Sequence, residues 1–183
     1  DITLRAQRVL AAVACVACED TRVTRELLRL LDIAPPMLVS VREHNECEAA
    51  AGVVGRIAAG QAVAYVSDAG TPAISDPGAR LVAAVRAAGF PTIPIPGVSA
   101  VTAALSVAGF ESTAFTFLGF APTSKGELTA FVEAVAARVE TSVFFESPHR
   151  IDKTLQALAD VLPSARRVVI GRELTKKFET VSA

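Results

Sequence analysis

Ser67-Asp68-Ala69-Gly70-Thr71-Pro72-Ala73-Ile74-Ser75-Asp76-Pro77-Gly78 follows without a break on the apolar run Ala62 to Val66. A short apolar run bounded by turn residues reads as a buried strand. The stretch after it is then a loop at the carboxyl end of that strand, where open α/β sheets bind ligands. Small residues at 69 and 70 let a ligand approach the backbone closely, and Asp68 offers an acceptor for hydroxyl or amino groups. The same residues also make a long turn rich in Gly, Pro and Asp. Spacing alone leaves both readings open.

Outward from this loop the pattern alternates helix and strand. Before it, Ile2, Ala6, Val9, Leu10 and Val13 recur at helical spacing, and Val13 to Cys18 reads as a strand. Asp20 or Thr21 caps a helix with Thr24, Leu27, Leu28 and Leu31 inward. Met37 to Val41 is the next strand, and Ala50, Val53, Val54 and Ile57 mark a further helix. After the loop, Pro77 opens a helix with Leu81, Val82 and Val85 inward, stopped by Gly89. Thr92 to Ile95 is expected to be a short strand, and Pro96-Gly97-Val98-Ser99-Ala100 a second loop leading into a helix that ends at Gly109. Free N–H groups at that helix start can bind a carboxylate or polar ligand edge, while Ser99 also reads as a plain N-cap. Strands that are apolar almost throughout, alternating with helices, predict a parallel sheet covered on both faces.

The pattern pauses near Gly109 to Thr113, which suggests a boundary between a first domain, 1–111, and a second, 112–183. The second is expected to hold strands Ala114 to Leu118, Ser142 to Phe145 and Arg167 to Ile170. Its helices carry Leu128, Phe131, Val132 and Val135, then Ile151, Leu155 and Leu158. These strands are few for a sheet of ordinary size, so further chain is expected beyond them.

Composition narrows the class. Of 183 residues, 51% are hydrophobic and 20% charged, enough for a buried core and too apolar for a disordered chain. The net charge of −1 gives no global attraction for a polyanion, so an RNA partner requires a local basic surface. No run reaches the roughly 18 apolar residues of a membrane span, and no signal peptide is evident; a cytoplasmic protein without a membrane role is expected. Cys15 and Cys18 form a C-x-x-C pair inside a strand, where an offset of three points the side chains to opposite faces. Without a second pair to close a ligand set, they read as small buried hydrophobes and no metal is expected. Neither a G-x-G-x-x-G nor a P-loop nor a nucleophile elbow occurs.

Six stretches carry a resemblance. Cys18-Glu19-Asp20-Thr21-Arg22, Glu43-His44-Asn45-Glu46, the loop from Ser67 to Gly78, Pro96-Gly97-Val98-Ser99-Ala100, Phe144-Phe145-Glu146-Ser147-Pro148-His149-Arg150 and Arg172-Glu173-Leu174-Thr175-Lys176 follow one another over nearly the whole chain. In this order they resemble the ribosomal RNA small-subunit methyltransferase I family of the tetrapyrrole-methylase superfamily. The resemblance implies two α/β domains, the first with a mainly parallel sheet and the second with a mixed one, holding S-adenosylmethionine between them. It also implies a homodimer that methylates a cytidine 2′-hydroxyl of small-subunit (16S) ribosomal RNA. Carried over motif by motif, Asp68, Ala69, Gly70 and Thr71 would line the cofactor, with Ser99 and Ala100 opposite and Leu118, Arg172, Glu173 and Leu174 from the second domain. The chain departs from the family in three places. A strand and T-P-I-G-N loop that precede the segment matching Asp1-Ile2-Thr3-Leu4-Arg5 are absent, as are the final strands after Glu179-Thr180, and Val98 stands where proline is common. A chain of these residues alone is expected to be unstable for want of that first strand.

The charged candidates carry two readings each. Asp20 is a cap or a proton acceptor, and His44, in the polar stretch after a strand, is a structural histidine or a base for a 2′-hydroxyl. Arg22, Arg25 and Arg29 share a helix face that is either solvated or in contact with phosphate. Asn45, His149 and Arg150 complete the candidate RNA-contacting set. Two further classes stay open: a methyltransferase of the superfamily acting on a precorrin-type tetrapyrrole, and a non-catalytic α/β binding module.

Overall fold

The computed structural model describes residues 1–111 and 113–183, which divide into two compact units, Asp1–Ser99 and Ala100–Ala183. The boundary expected at 111/112 falls on Ser112, outside the described residues.

The first unit is built on the strand β1 (Cys15–Cys18), whose four residues are all fully buried. It lies between β2 (Met37–Ser40) and β3 (Val63–Val66), parallel to both, so the sheet order is β2-β1-β3. Alternation along β1 divides the core in two, because successive side chains leave opposite faces. Ala17 joins Val41, which follows β2, with Ala50 and Val53 of α3 (Glu46–Ala58) and Leu81 and Val85 of α4 (Ala79–Ala87). Val16 and Cys18 join Leu10 and Leu28 from α1 (Leu4–Ala12) and α2 (Thr21–Leu30). The expected parallel sheet with helices on both faces is therefore present. All three cysteines are free, and burial raises the Cys15 and Cys18 thiol pKa values.

Two elements expected in the first unit differ. Thr92 to Ile95 forms no strand. Pro91, Pro94 and Pro96 remove the N–H donors a ladder would use, and a proline inside an apolar run argues against a central strand. Pro77 does not open α4, which starts at Ala79 with Gly78 as its cap. Gly89, at φ +82°, does follow the end of that helix.

In the second unit, after α5 (Ala100–Ala108), β4 (Phe115–Phe120) and β5 (Thr141–Phe145) pair in parallel. One face carries α6 (Lys125–Ala137) and α7 (Ile151–Val161), whose Val132, Val135 and Leu158 bury against Leu118 and Phe144. Phe131 meets Phe144 edge-to-face with ring centroids 5.1 Å apart, a favoured aromatic geometry. In place of the expected strand Arg167 to Ile170, β6 (Ile170–Arg172) pairs antiparallel with β7 (Thr180–Ser182). The parallel pair and the antiparallel pair are separate sheets, not one mixed sheet.

Candidate functional site

The carboxyl ends of β1, β2 and β3 lie side by side because the strands are parallel and in register. Their following loops are therefore neighbours, and side chains tie them together. Asp20 N–H donates to Asp68 Oδ1 at 3.2 Å, and Asp68 N–H reaches Glu19 Oε2 at 3.5 Å. Ser40 Oγ and Arg42 Nε both donate to the Glu19 carbonyl, at 3.2 and 3.3 Å. Asn45 closes the β2 end, accepting from Arg42 N–H at 2.7 Å and donating to the Ser40 carbonyl at 3.2 Å.

Asp20 is the N-cap of α2, and its carboxylate accepts from Arg22 N–H at 2.8 Å. The Arg22 guanidinium adds a second and third bond at 3.1 and 2.6 Å, and Arg42 stands 4.0 Å away. The bonded Arg22 side chain, with its backbone N–H next, holds this carboxyl well below the usual carboxylate range. Such a group is a weak proton acceptor at neutral pH. His44 stands exposed on the turn before α3.

The loop after β3 is exposed from Asp68 to Thr71. Gly70 has φ +61° and open space where a Cβ would stand. Asp68 Oδ1 is used by Asp20 N–H, which leaves Oδ2 to accept from a ligand hydroxyl or amino group. Thr71 Oγ1 donates to the Val98 carbonyl at 3.1 Å and so joins this loop to the second one, next to Ser99. Within the loop Asp76 titrates above the usual range, through burial first and then the charge of Glu19, while a hydrogen bond from Ser67 works against the rise.

The arginine stripe is partly neutralised. Arg29 makes a two-bond ion pair with Glu26, at 2.6 and 2.8 Å, and Arg22 is held by Asp20. Arg25 is exposed on the same helix.

In the second unit Leu118 packs into the core beside α6 and α7. Arg150 is built into the fold: Nη1 donates to the Ala121 and Pro122 carbonyls at 3.2 and 3.1 Å, and Nη2 pairs with Glu146 at 2.6 Å. The Glu146 side chain is only 4% exposed and also accepts from Ser147 N–H and Thr154 Oγ1. His149 is exposed beside this network. Arg172 closes β6, and Glu173 follows at φ +50°. Leu174 lies against Gly171. A hollow of about 910 Å3 in this unit is lined in part by Leu105, Phe145, Leu155, Arg167 and Lys176.

Sequence reasoning did not single out Arg42, Tyr65 or Asp76, and it quoted Glu46 only as part of a motif. Glu46 did carry a signal: it stands four residues before Ala50 and seven before Val53, a carboxylate on an apolar helix face. Among the described residues, no group of three or more His, Cys, Asp or Glu could hold a metal ion, and no helix is long and apolar enough to cross a membrane.

A parallel α/β sheet with joined loops at its strand ends defines a ligand-binding class, and the comparisons specify it. The model of the tetrapyrrole (corrin/porphyrin) methylases matches residues 1–183, and the chain belongs to that family. It is 48% identical over 179 residues to the ribosomal RNA small subunit methyltransferase I of Mesorhizobium japonicum, covering 98% of this chain and 60% of that protein. The protein of the same name from Neisseria meningitidis serogroup B is 50% identical over 180 residues, covering 98% and 61%. For the one from Bacillus subtilis the figures are 41% over 179 residues, 98% and 61%. The chain spans about three fifths of the length of these relatives. The X-ray structure of a cobalamin biosynthetic enzyme, cobalt precorrin-4 methyltransferase, superposes with a TM-score of 0.66 at 20% identity, covering 98% of this chain and 77% of that one. At that identity the likeness concerns the fold alone.

Proposed function

We propose that the protein is an S-adenosylmethionine-dependent methyltransferase that modifies a cytidine 2′-hydroxyl of small-subunit (16S) ribosomal RNA. The observation that carries this reading is identity of 41 to 50% along nearly the whole chain to proteins named for methylating that RNA. The loop after β3 fits the cofactor in chemistry, with an exposed small-residue turn and a carboxylate oxygen left to accept from a ribose hydroxyl or an amino group. When bound, S-adenosylmethionine supplies a methyl group already activated by its sulfonium charge. Asp68 to Thr71, with Ser99 and Ala100, would hold and orient it; Leu118 and Arg172 to Leu174 are assigned to it on resemblance alone, as is a homodimer.

Placement in line supplies much of the acceleration in such a transfer. The 2′-hydroxyl must lose its proton as it is methylated. Asp20 is held charged by two arginines and suits the part of an anchor, which leaves His44 as the candidate acceptor. Arg25, with Arg22, Arg29 and Asn45, is proposed to face the RNA from the first unit, and His149 from the second, where Arg150 would support it from within the fold.

The hollow in the second unit favours a second reading, a methyltransferase of a tetrapyrrole, because apolar and cationic residues together suit a macrocycle with carboxylate arms. Offering the full-length protein labelled S-adenosylmethionine with small ribosomal subunits, or with a precorrin-type tetrapyrrole, separates the two. Label in the RNA supports the proposal, and label in the tetrapyrrole alone overturns it.

A further inference from the structure

The loop from Ser67 to Gly78 is anchored at both ends, and its far end is held by a carboxylate from another element. Glu46, in the first turn of α3, is buried at 5% exposure. Its Oε1 accepts from Gly78 N–H at 3.0 Å, Arg80 N–H at 2.8 Å and Leu81 N–H at 3.0 Å. These are donors of the first turn of α4, which no preceding turn can satisfy. The cap residue of α4, Gly78, has no side chain to bond them. A side chain there is also barred: φ is +131°, and a Cβ would come within 2.4 Å of the Tyr65 ring. Glu46 thus caps α4 across 32 residues of sequence, and its charge suits the positive end of the helix dipole. Beside it Tyr65 Oη donates to the Pro77 carbonyl at 2.7 Å, and Ala73 N–H donates to the same carbonyl at 3.2 Å.

We infer that Glu46 is a positioning residue for the cofactor, acting through the α4 cap to hold the loop that carries Asp68 to Thr71 in its binding shape. The inference rests on the proposed role of that loop. Tyr65 works on the same end through its bond to the Pro77 carbonyl, and burial, then the nearby Glu46 charge, push its phenol pKa up. The near end is fixed separately by Asp20 and Glu19 on Asp68. Removing Glu46 therefore frees one end while the other stays tied. Loop residues between the two anchors, Ala73 and Ser75, have positive φ values of +67° and +60°, which ordinary residues hold only when their surroundings enforce it.

The test is calorimetric titration of the full-length protein and a set of variants with S-adenosylmethionine. Glu46→Ala should raise Kd on the order of tenfold or more, and Glu46→Gln, which keeps an acceptor oxygen at the same reach, should recover most of the loss. Val53→Ala empties a core position on the same helix without touching the loop, so at matched loss of Tm it should bind as the parent does. If Glu46→Ala does not fold, Glu46→Asp carries the test, because the shortened acid cannot reach all three N–H groups and should bind more weakly in a folded protein. Parent-like affinity in the folded Ala or Asp variant, or an equal loss in Val53→Ala, overturns the role. Ala69→Leu separates this from the reading beneath it. If that variant also binds normally, the loop is not the cofactor site and both ideas fall; if it fails to bind while Glu46→Ala binds, the role of Glu46 alone is lost.

Discussion

The backbone N–H of Asp20 donates to Asp68 Oδ1 at 3.2 Å, across 48 residues of sequence. In the proposed cofactor site one carboxylate would thereby do two jobs. Oδ1 fixes the loop after β3 to the start of α2, and Oδ2 is left for a ligand. Asp68→Asn separates them, since the amide oxygen can still accept from Asp20 N–H while the other position becomes a donor. The expected result is a loss of S-adenosylmethionine affinity of about 1.5–3 kcal/mol, tenfold or more in Kd, at nearly unchanged stability. Calorimetry with a thermal melt checks it, and equal affinity would remove Asp68 from the site.

The Asp20 pair predicts a pH dependence of stability. Its folded-state pKa is depressed by the bonded Arg22 side chain. The contribution is therefore fully present above the unfolded value of about 3.9 and is lost as pH falls toward the folded value. Asp20→Asn keeps a capping oxygen but not the charge. The stability difference from the parent should be constant from about pH 5 to about pH 8 and shrink below about pH 4. The acid limb of the methyl-transfer rate profile should not move. A limb that disappears in this variant would make Asp20 the proton acceptor.

Much of the first unit was legible because its signals are local. The run Cys15-Val16-Ala17-Cys18 is apolar throughout, and a strand buried on both faces must be. The Ser67 to Gly78 loop was placed at a strand end by the same logic. What escaped depends on partners distant in sequence or hidden by side-chain reach. Thr92 to Ile95 has the composition of a strand, but its flanking and internal prolines deny it a ladder. Glu46 looked like part of a polar motif, and only the fold brings Gly78, Arg80 and Leu81 to it. Spacing puts Arg22, Arg25 and Arg29 on one helix face without ranking them, yet Arg22 turns back on its own cap and Arg29 on Glu26.

That inequality makes a prediction for RNA. Each lost phosphate contact lowers the salt slope of binding by about 0.7–0.9. Arg25→Ala should weaken binding to small subunits and reduce the slope by about that amount. Arg29→Ala should do less, since Glu26 already shares its charge, and S-adenosylmethionine affinity should not change in either. Filter binding between low and moderate salt measures this; parent slopes in both variants would assign the stripe to solvent and turn attention to Lys153 and Arg172.

Arg150 predicts a stability effect in the second unit. Arg150→Ala leaves the Glu146 carboxylate buried without its cation and frees the Ala121 and Pro122 carbonyls. Breaking a buried pair from one side costs about 3–5 kcal/mol. Urea unfolding should show a loss of that size, and a midpoint close to the parent's would mean the network contributes little.

The central claim, methylation of a ribose hydroxyl of small-subunit RNA, is tested most directly by mapping the product. Small subunits labelled from methyl-tritiated S-adenosylmethionine by the full-length protein are stripped to RNA and hydrolysed in alkali. A 2′-O-methyl group blocks attack on the adjacent phosphate, so the label should survive in a single alkali-resistant dinucleotide whose 5′ nucleoside is cytidine. Label released in ordinary mononucleotides would place the methyl on a base, and no label in the RNA would contradict the account altogether.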